Sequence, residues 1–281
     1  MRKSAIFICT FNRPDDQKTL ALLRSLNCKM KIYLVLDDTD KSRDRYIKNY
    51  PDTDILIFDK NHYINTCDTG SNSPRYSCVL YARAAVEDMA NKLGLDTFIM
   101  ADDDIHTFRF RYLDGQVIRS QKLKDINGVI DSCMDYMVNS DISSLGFSFT
   151  QMFFGGPKVF DEFGRNRIVY NFMFRNTKHK VNWVSWYGED IITALNHQQW
   201  GQYWIAIPDI QQDIDSVASG KSDGGMADVY RNKDGFHLAM CDFIYQPTAT
   251  KPYWYRNKFM ASIVRSYAFP MLISDNYRKE K

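Results

Sequence analysis

Three consecutive carboxylates, Asp102, Asp103 and Asp104, follow the apolar run Phe98-Ile99-Met100-Ala101. A short apolar segment with a helix before it and a polar turn after it reads as a buried strand. The acids therefore sit at a strand's carboxyl end, where ligands collect in open α/β sheets. Side chains alternate along a strand, which predicts Asp102 and Asp104 on one face and Asp103 on the other. Like charges so close together repel, and a divalent cation shared with water and substrate phosphates is the common relief. Mg2+ or Mn2+ holding a diphosphate suits these hard oxygen donors. The bland alternative is an acidic surface turn.

A second acid pair, Glu189-Asp190, follows Gly188 and begins an apolar-periodic helix that runs to Trp200 and is closed by Gly201. The helix dipole alone favours acids in a first turn; the functional reading is a general base that takes a proton from an attacking hydroxyl. Asp37-Asp38-Thr39-Asp40 ends the strand Lys31 to Leu36, and an acid in that place often accepts hydrogen bonds from a nucleotide's base or ribose. His237 directly follows the stretch 216–235, which is rich in Gly, Ser, Asp and Lys. It is a candidate third metal ligand, since neutral imidazole binds divalent ions, although a lone histidine is more often structural.

The elements that place these groups alternate along the chain. Ala5 to Phe11 is an apolar strand, Asn12-Arg13-Pro14-Asp15-Asp16 a turn, and Gln17 to Leu26 a helix; strands over Lys31 to Leu36 and Asp54 to Asp59 follow. Ser73-Pro74 opens a helix from about Arg75 to Leu93, stopped by Gly94, with Val79, Ala82, Val86, Met89, Ala90 and Leu93 at helical spacing. Arg75 and Arg83 lie about two turns apart on it, either as cations facing a diphosphate or as solvated surface groups. The β-α-β-β-α-β order over roughly the first 105 residues predicts a parallel α/β sheet. No GxGxxG follows the first strand, so a nucleotide would be held by side chains and metal.

Beyond His106, Phe108 to Tyr112 alternates aromatic residues with arginine, as a strand or ribbon with one basic face. A helix is predicted over Asp125 to Asn139 and strands over Ile142 to Phe149, Val169 to Arg175 and Trp204 to Pro208, with Gln151 to Gly156 either an acceptor-side loop or core plus turn. The tail from Lys251 to Arg278 interleaves basic and aromatic residues, a pattern that suits a polyanionic, base-bearing partner and equally an amphipathic closing helix.

With 281 residues, 44% hydrophobic and 25% charged, the chain can bury a full core. A net charge of +2 gives no global footprint for nucleic acid. The apolar run after Met1-Arg2-Lys3-Ser4 is too short for a signal peptide, and no stretch reaches the roughly 18 apolar residues of a membrane span. Six scattered cysteines without a CxxC pair indicate neither a zinc site nor a disulfide framework. The chain reads as cytoplasmic, with reduced thiols, no membrane contact and no obligate protein partner.

Taken in order, Thr10-Phe11-Asn12-Arg13-Pro14 at the end of the first strand, the acid pair after the second, the arginine-bearing helix, Asp102-Asp103-Asp104 and Gly188-Glu189-Asp190 resemble a nucleotide-sugar glycosyltransferase of the type-A (GT-A) fold, over roughly residues 5 to 240. The resemblance implies a Rossmann-like, mostly parallel central sheet flanked by helices, with acceptor-side elements in the C-terminal half. It implies one domain over 1–281: a nucleotide-sugar half (1–106), an acceptor half (107–250) and a basic aromatic tail (251–281). Position by position, Thr10, Asn12 and Arg13 would line the nucleotide pocket with Asp103 beside them, and Asp37 or Asp38 would meet the uridine. Arg75 and Lys233 would touch or close over phosphate; Asp102, Asp104 and His237 would hold Mn2+ or Mg2+; Glu189 or Asp190 would be the base. In general character the chain is also similar to phage glycosyltransferases that decorate hydroxymethylated pyrimidines in DNA, including arabinosyl-transferring ones. That likeness implies a UDP-sugar donor and a DNA acceptor with a means of exposing the base, with Arg109, Arg111, Lys251 and Arg256 as candidate phosphate contacts. The rivals are a transferase acting on a glycan or cell-surface polysaccharide, a nucleotidyltransferase, which would usually open with the glycine-rich phosphate loop that Thr10 to Asp16 lacks, and a nucleic-acid-binding module with structural acids.

Overall fold

The computed structural model describes residues 2–70, 78–149, 156, 169–214 and 244–246, and the backbone of 250–255 and 258–263. Its centre is a nine-stranded sheet of β1 (Ser4–Cys9), β2 (Lys31–Asp37), β3 (Asp54–Phe58), β4 (Thr97–Asp102), β5 (Ile105–Asp114), β6 (Val117–Lys122), β7 (Ser144–Phe149), β8 (Phe172–Asn176) and β9 (Trp204–Ile214), in the order β3-β2-β1-β4-β8-β7-β9-β5-β6. Seven strands share one direction, and β5 and β8 run against it. A separate antiparallel pair, β10 (Thr250–Tyr255) and β11 (Lys258–Ile263), lies at the start of the basic tail.

Alternation along β1 explains the layers. Ala5, Phe7 and Cys9 enter one core, while Ile6 and Ile8 enter another on the opposite face. The first core is covered by α3 (Lys60–Thr66), α4 (Leu80–Lys92) and α6 (Glu189–Gln199); the second by α1 (Lys18–Ser25), α2 (Arg43–Asn49) and α5 (Ile126–Asn139). With both faces buried, the central strands read as continuous apolar runs. The α/β class expected from the sequence is what the chain adopts.

Several boundaries differ from the sequence reading. The first strand stops at Cys9, because Asn12 takes a left-handed backbone (φ 54°) that breaks the extended run. Helix α2 was not expected: in Arg43–Asn49 only Tyr46 is buried, so no apolar stripe announces it. It supplies the crossover that makes β2 and β3 parallel. Helix α3 and the exposed strand β6 were missed for the same reason. The helix predicted from Arg75 is described from Leu80 onward, and β9 continues through Pro208 to Ile214.

That extension of β9 goes with a curl of the sheet. Strands β8, β7 and β9 lie between β4 and β5 in hydrogen-bonding order, a lateral distance of about 19 Å in a flat sheet. Yet Asp103 and Asp104 alone link them, and three Cα steps reach only about 11 Å. The sheet must curl, and it does so where the pairing of β9 with β7 jumps from Phe147↔Ile207 to Ser148↔Gln211. Phe108 of β5 then packs on Phe147 and Phe172, at 5.4 and 5.0 Å between ring centroids. The acid turn is thus caught between the central sheet and its curled edge. The ribbon β5–β6 carries Arg109, Arg111 and Lys122 on one face and Phe110 and Tyr112 on the other, as their register requires.

Candidate active site

The turn that carries Asp102, Asp103 and Asp104 is fixed through its backbone. The Asp102 N–H donates to the carbonyl of Asn171 (2.7 Å), and the Thr19 N–H to the carbonyl of Asp103 (3.1 Å). Thr19 Oγ1, in the first turn of α1, donates to the Asp102 carbonyl (2.6 Å) and accepts from the Ile105 N–H (2.9 Å). One buried threonine therefore spans the turn from its first residue to the strand that follows.

The strand ends at Asp102, and the next two residues form the turn, so strict alternation is not what separates the three acids. Asp103 points inward: its Oδ2 accepts from Thr10 Oγ1 and its Oδ1 from Arg13 Nη1, both at 2.6 Å. Burial raises the Asp103 pKa against the pull of Arg13 and the Thr10 hydrogen bond. Asp102 Oδ1 and Asp104 Oδ1 are both buried, and neither has a hydrogen-bond partner. Burial pushes Asp102 up to about 6 against the attraction of Arg83, and burial followed by the charges of Asp102 and Asp103 pushes Asp104 up to about 7. Two desolvated carboxylate oxygens without a hydrogen bond, one of them 3.4 Å from the Arg83 guanidinium, fit a hard cation. Among the described residues no group of three or more His, Cys, Asp or Glu side chains is arranged to hold a metal unaided. A Mg2+-type ion does not need one, since water and substrate phosphates complete its shell.

The end of β1 is organised around Tyr46. Its hydroxyl accepts from the Arg13 N–H (2.7 Å) and lies 3.1 Å from Thr10 Oγ1, which also accepts from Gln17 Nε2 (2.8 Å). Asp40 accepts from the N–H groups of Asn12 (2.8 Å) and Ser42 (2.7 Å). Asp37 and Asp38 meet Lys60: Asp37 Oδ2 lies 3.0 Å from Lys60 Nζ, and Asp38 Oδ1 accepts from the Lys60 N–H (3.0 Å). Lys60 Nζ also sits 5.2 Å from the ring centre of Phe11.

Glu189 and Asp190 open α6 after Gly188, whose left-handed φ of 64° turns the chain into the helix. The two acids have different surroundings. Glu189 Oε1 accepts from Arg83 Nε at 2.9 Å, in a pair whose side chains are 2% (Arg83) and 9% (Glu189) exposed. Asp190 makes no ion pair among the described residues; its Oδ1 accepts from the Ile191 N–H (2.8 Å). Burial and then Glu189 push Asp190 up to about 7, against Arg83. The other nitrogen arm of Arg83 reaches Asp102, with Nη2 3.4 Å from Oδ1. Burial opposes the arginine's charge, but Asp102, Glu189 and Asp190 outweigh it and raise its pKa. Neighbouring Cys9 is pushed up to about 12, chiefly by burial, so it stays a thiol and supplies no nucleophile.

The predicted residues thus fall into linked groups. Thr10, Arg13 and Asp103 are bonded together; Asn12 is tied to Asp40; Asp37 and Asp38 converge on Lys60; Arg83 joins Asp102 to the helix start that bears Glu189 and Asp190. Arg75, Lys233 and His237 lie outside the described residues, as do the stretches 151–155 and 216–235 and the side chains of the tail. The sequence reading missed Thr19, Tyr46, Asp40 and Lys60, and left Arg83 undecided. Position 83 falls four after Val79 and three before Val86, on the stripe that packs against the sheet; that spacing was the available signal for a buried arginine.

Paired carboxylates thus stand at the carboxyl end of the central strand of an α/β sheet, and Arg83 links the first of them to the helix start that bears Glu189 and Asp190. Residues 4–221 match the TET-associated glycosyltransferase family, and the chain belongs to it and is a glycosyltransferase. No curated relative matches the chain. Among solved structures it is similar to glucosyl-3-phosphoglycerate synthase from Mycobacterium tuberculosis in complex with Mg2+ and uridine diphosphate, at 7% identity over 93% of this chain and 87% of that one, TM-score 0.46. A mycobacterial protein matches at 8% identity over 93% and 83%, TM-score 0.48.

Proposed function

We propose that the protein is a metal-dependent glycosyltransferase that moves a glucose- or arabinose-type sugar from a UDP-sugar to a hydroxyl, with hydroxymethylcytosine in DNA as the acceptor. The observation that carries the metal-dependent reading is the pair of buried oxygens on Asp102 and Asp104 without a hydrogen bond, of which, among the described residues, only Asp102 Oδ1 has a cation within ion-pair distance, Arg83 Nη2 at 3.4 Å. In this reading Asp102 and Asp104, joined by His237, hold a divalent cation, which when bound neutralises charge on the departing diphosphate.

The remaining work falls to the chain's own groups. Asn12 and Arg13 line the nucleotide pocket, with Thr10 and Asp103 fixing the Arg13 guanidinium; Asp37 or Asp38 accepts from the uridine; Arg75 and Lys233 meet phosphate. Asp190 takes the proton from the acceptor hydroxyl. Its selection over Glu189 is supported by the Arg83 ion pair, which occupies Glu189, and by a pKa near 7, which suits a base at neutral pH. A base that acts from the face opposite the leaving diphosphate inverts the anomeric carbon. On the acceptor side Arg109, paired with Asp213 at 3.1 Å, and Arg111, bonded to Gln211, are candidate phosphate contacts.

The test is incubation with a panel of UDP-sugars and hydroxymethylcytosine DNA, with Mn2+ or with EDTA, read by mass of the released nucleosides. A hexose or pentose increment on hydroxymethylcytidine, lost in EDTA, is expected. No increment with any donor, alongside transfer to a glycan acceptor, overturns the DNA reading; transfer undiminished by EDTA overturns the metal.

A further inference from the structure

The geometry points to Arg83 as a positioning residue for the transfer: one buried guanidinium that ties the donor-side carboxylate Asp102 to the helix start presenting Asp190. The inference rests on the reading of Asp190 as the base. A charge buried without partners is strongly destabilising, so an arginine only 2% exposed on the inner face of α4 must be paired. Its partners come from distant parts of the chain. Nε meets Glu189 at 2.9 Å and Nη2 approaches Asp102 at 3.4 Å, while the guanidinium lies 5.5 Å from the Trp183 ring centre and Nη1 3.7 Å from Met100 Sδ. Those four contacts fix both the plane and the direction of the fork.

The same molecule contains a buried arginine that serves the fold, and the contrast is instructive. Arg175, fully buried, pairs with the single acid Glu87 (2.9 Å) one turn along α4; its other bonds go to the carbonyls of Ser143 (2.5 Å) and His179 (3.2 Å) and to Ser143 Oγ (3.1 Å). None of these is a site residue. Both acids held by Arg83 belong to the two halves of the site. By occupying Glu189 it leaves Asp190 as the carboxylate able to act, and by bridging to Asp102 it sets the spacing between the donor acids and α6. A fork with several donors can address two acids at once, whereas a lysine ammonium keeps the charge but not the bridge.

The experiment uses the full chain as R83K, E189A and the double variant, with D190N alongside. Folding is followed by circular dichroism, UDP–Mn2+ affinity by calorimetry, and kcat and KM by transfer. R83K and E189A are each expected to bind UDP–Mn2+ within about three-fold of wild type while kcat falls about 100-fold, the loss a misplacement of about 1 Å produces. The double variant should lose no more than about three-fold beyond either single one, since the residues act as a unit. Wild-type kcat in R83K, or losses that multiply in the double variant, overturns the inference; should R83K not fold, E189A with wild-type kcat does so. Wild-type turnover in D190N instead removes the base reading itself, which separates the two failures.

Discussion

Asp104→Asn should make the metal-free protein more stable at alkaline pH while it destroys the proposed ion site. In an unfolded chain an aspartate titrates near 3.9, whereas burial and the neighbouring Asp102 and Asp103 raise Asp104 to about 7 in the fold. The native state therefore holds this proton more tightly than the unfolded state between about pH 4 and 7. Stability falls as pH rises through that window, and the full penalty is present above about 7. Roughly three pKa units correspond to about 4 kcal/mol, and water at the rim of the turn screens this to about 1–3 kcal/mol. Urea unfolding in EDTA at pH 8 should show Asp104→Asn more stable than wild type by that amount, with the gain shrinking toward pH 4. With Mn2+ and UDP at about 1,000 times their dissociation constant the order should reverse, because wild type gains about 4.1 kcal/mol that the variant cannot. An Asp104→Asn protein no more stable than wild type at pH 8 in EDTA, or a gain equal at both pH values, would refute the argument that the turn stores carboxylate repulsion.

Asp190→Asn should lower kcat by about 100- to 10,000-fold with UDP–Mn2+ affinity retained by calorimetry; in wild type kcat should decline as pH falls below about 7, where Asp190 takes up its proton, and a profile flat to pH 5 contradicts the assignment. Thr19→Val keeps the shape of the side chain but leaves the Asp102 carbonyl and the Ile105 N–H without their bonds to Oγ1. It should cost about 2–4 kcal/mol in urea unfolding and weaken UDP–Mn2+ binding through the displaced turn; unchanged stability would show that the turn does not depend on α1.

Much of this molecule is written locally. The apolar runs of β1, β2 and β4 and the stripes of α4 and α5 have the periodicities that their two-sided burial demands, and the acids at the carboxyl end of β4 follow from where that run stops. What was not legible depends on partners far along the chain. Helix α2 has a single buried side chain, so its sequence looks like a solvated loop until Tyr46 is seen holding Thr10 and the Arg13 backbone. Arg83 sits on the packing face of its helix, but its partners lie 19 and 106 positions away. The curl of the sheet was hidden because Pro208, a conventional strand end, instead begins the segment where β9 changes register and runs on beside β5.

The most direct measurement is calorimetric titration of UDP into wild type, Asp102→Asn and Asp104→Asn, each with Mn2+ and with EDTA. Wild type should bind UDP with Mn2+ and lose at least ten-fold in affinity in EDTA, with both variants weak in either condition. UDP bound as tightly in EDTA as in Mn2+, or by the variants as by wild type, would contradict a cation clamped by residues 102 and 104.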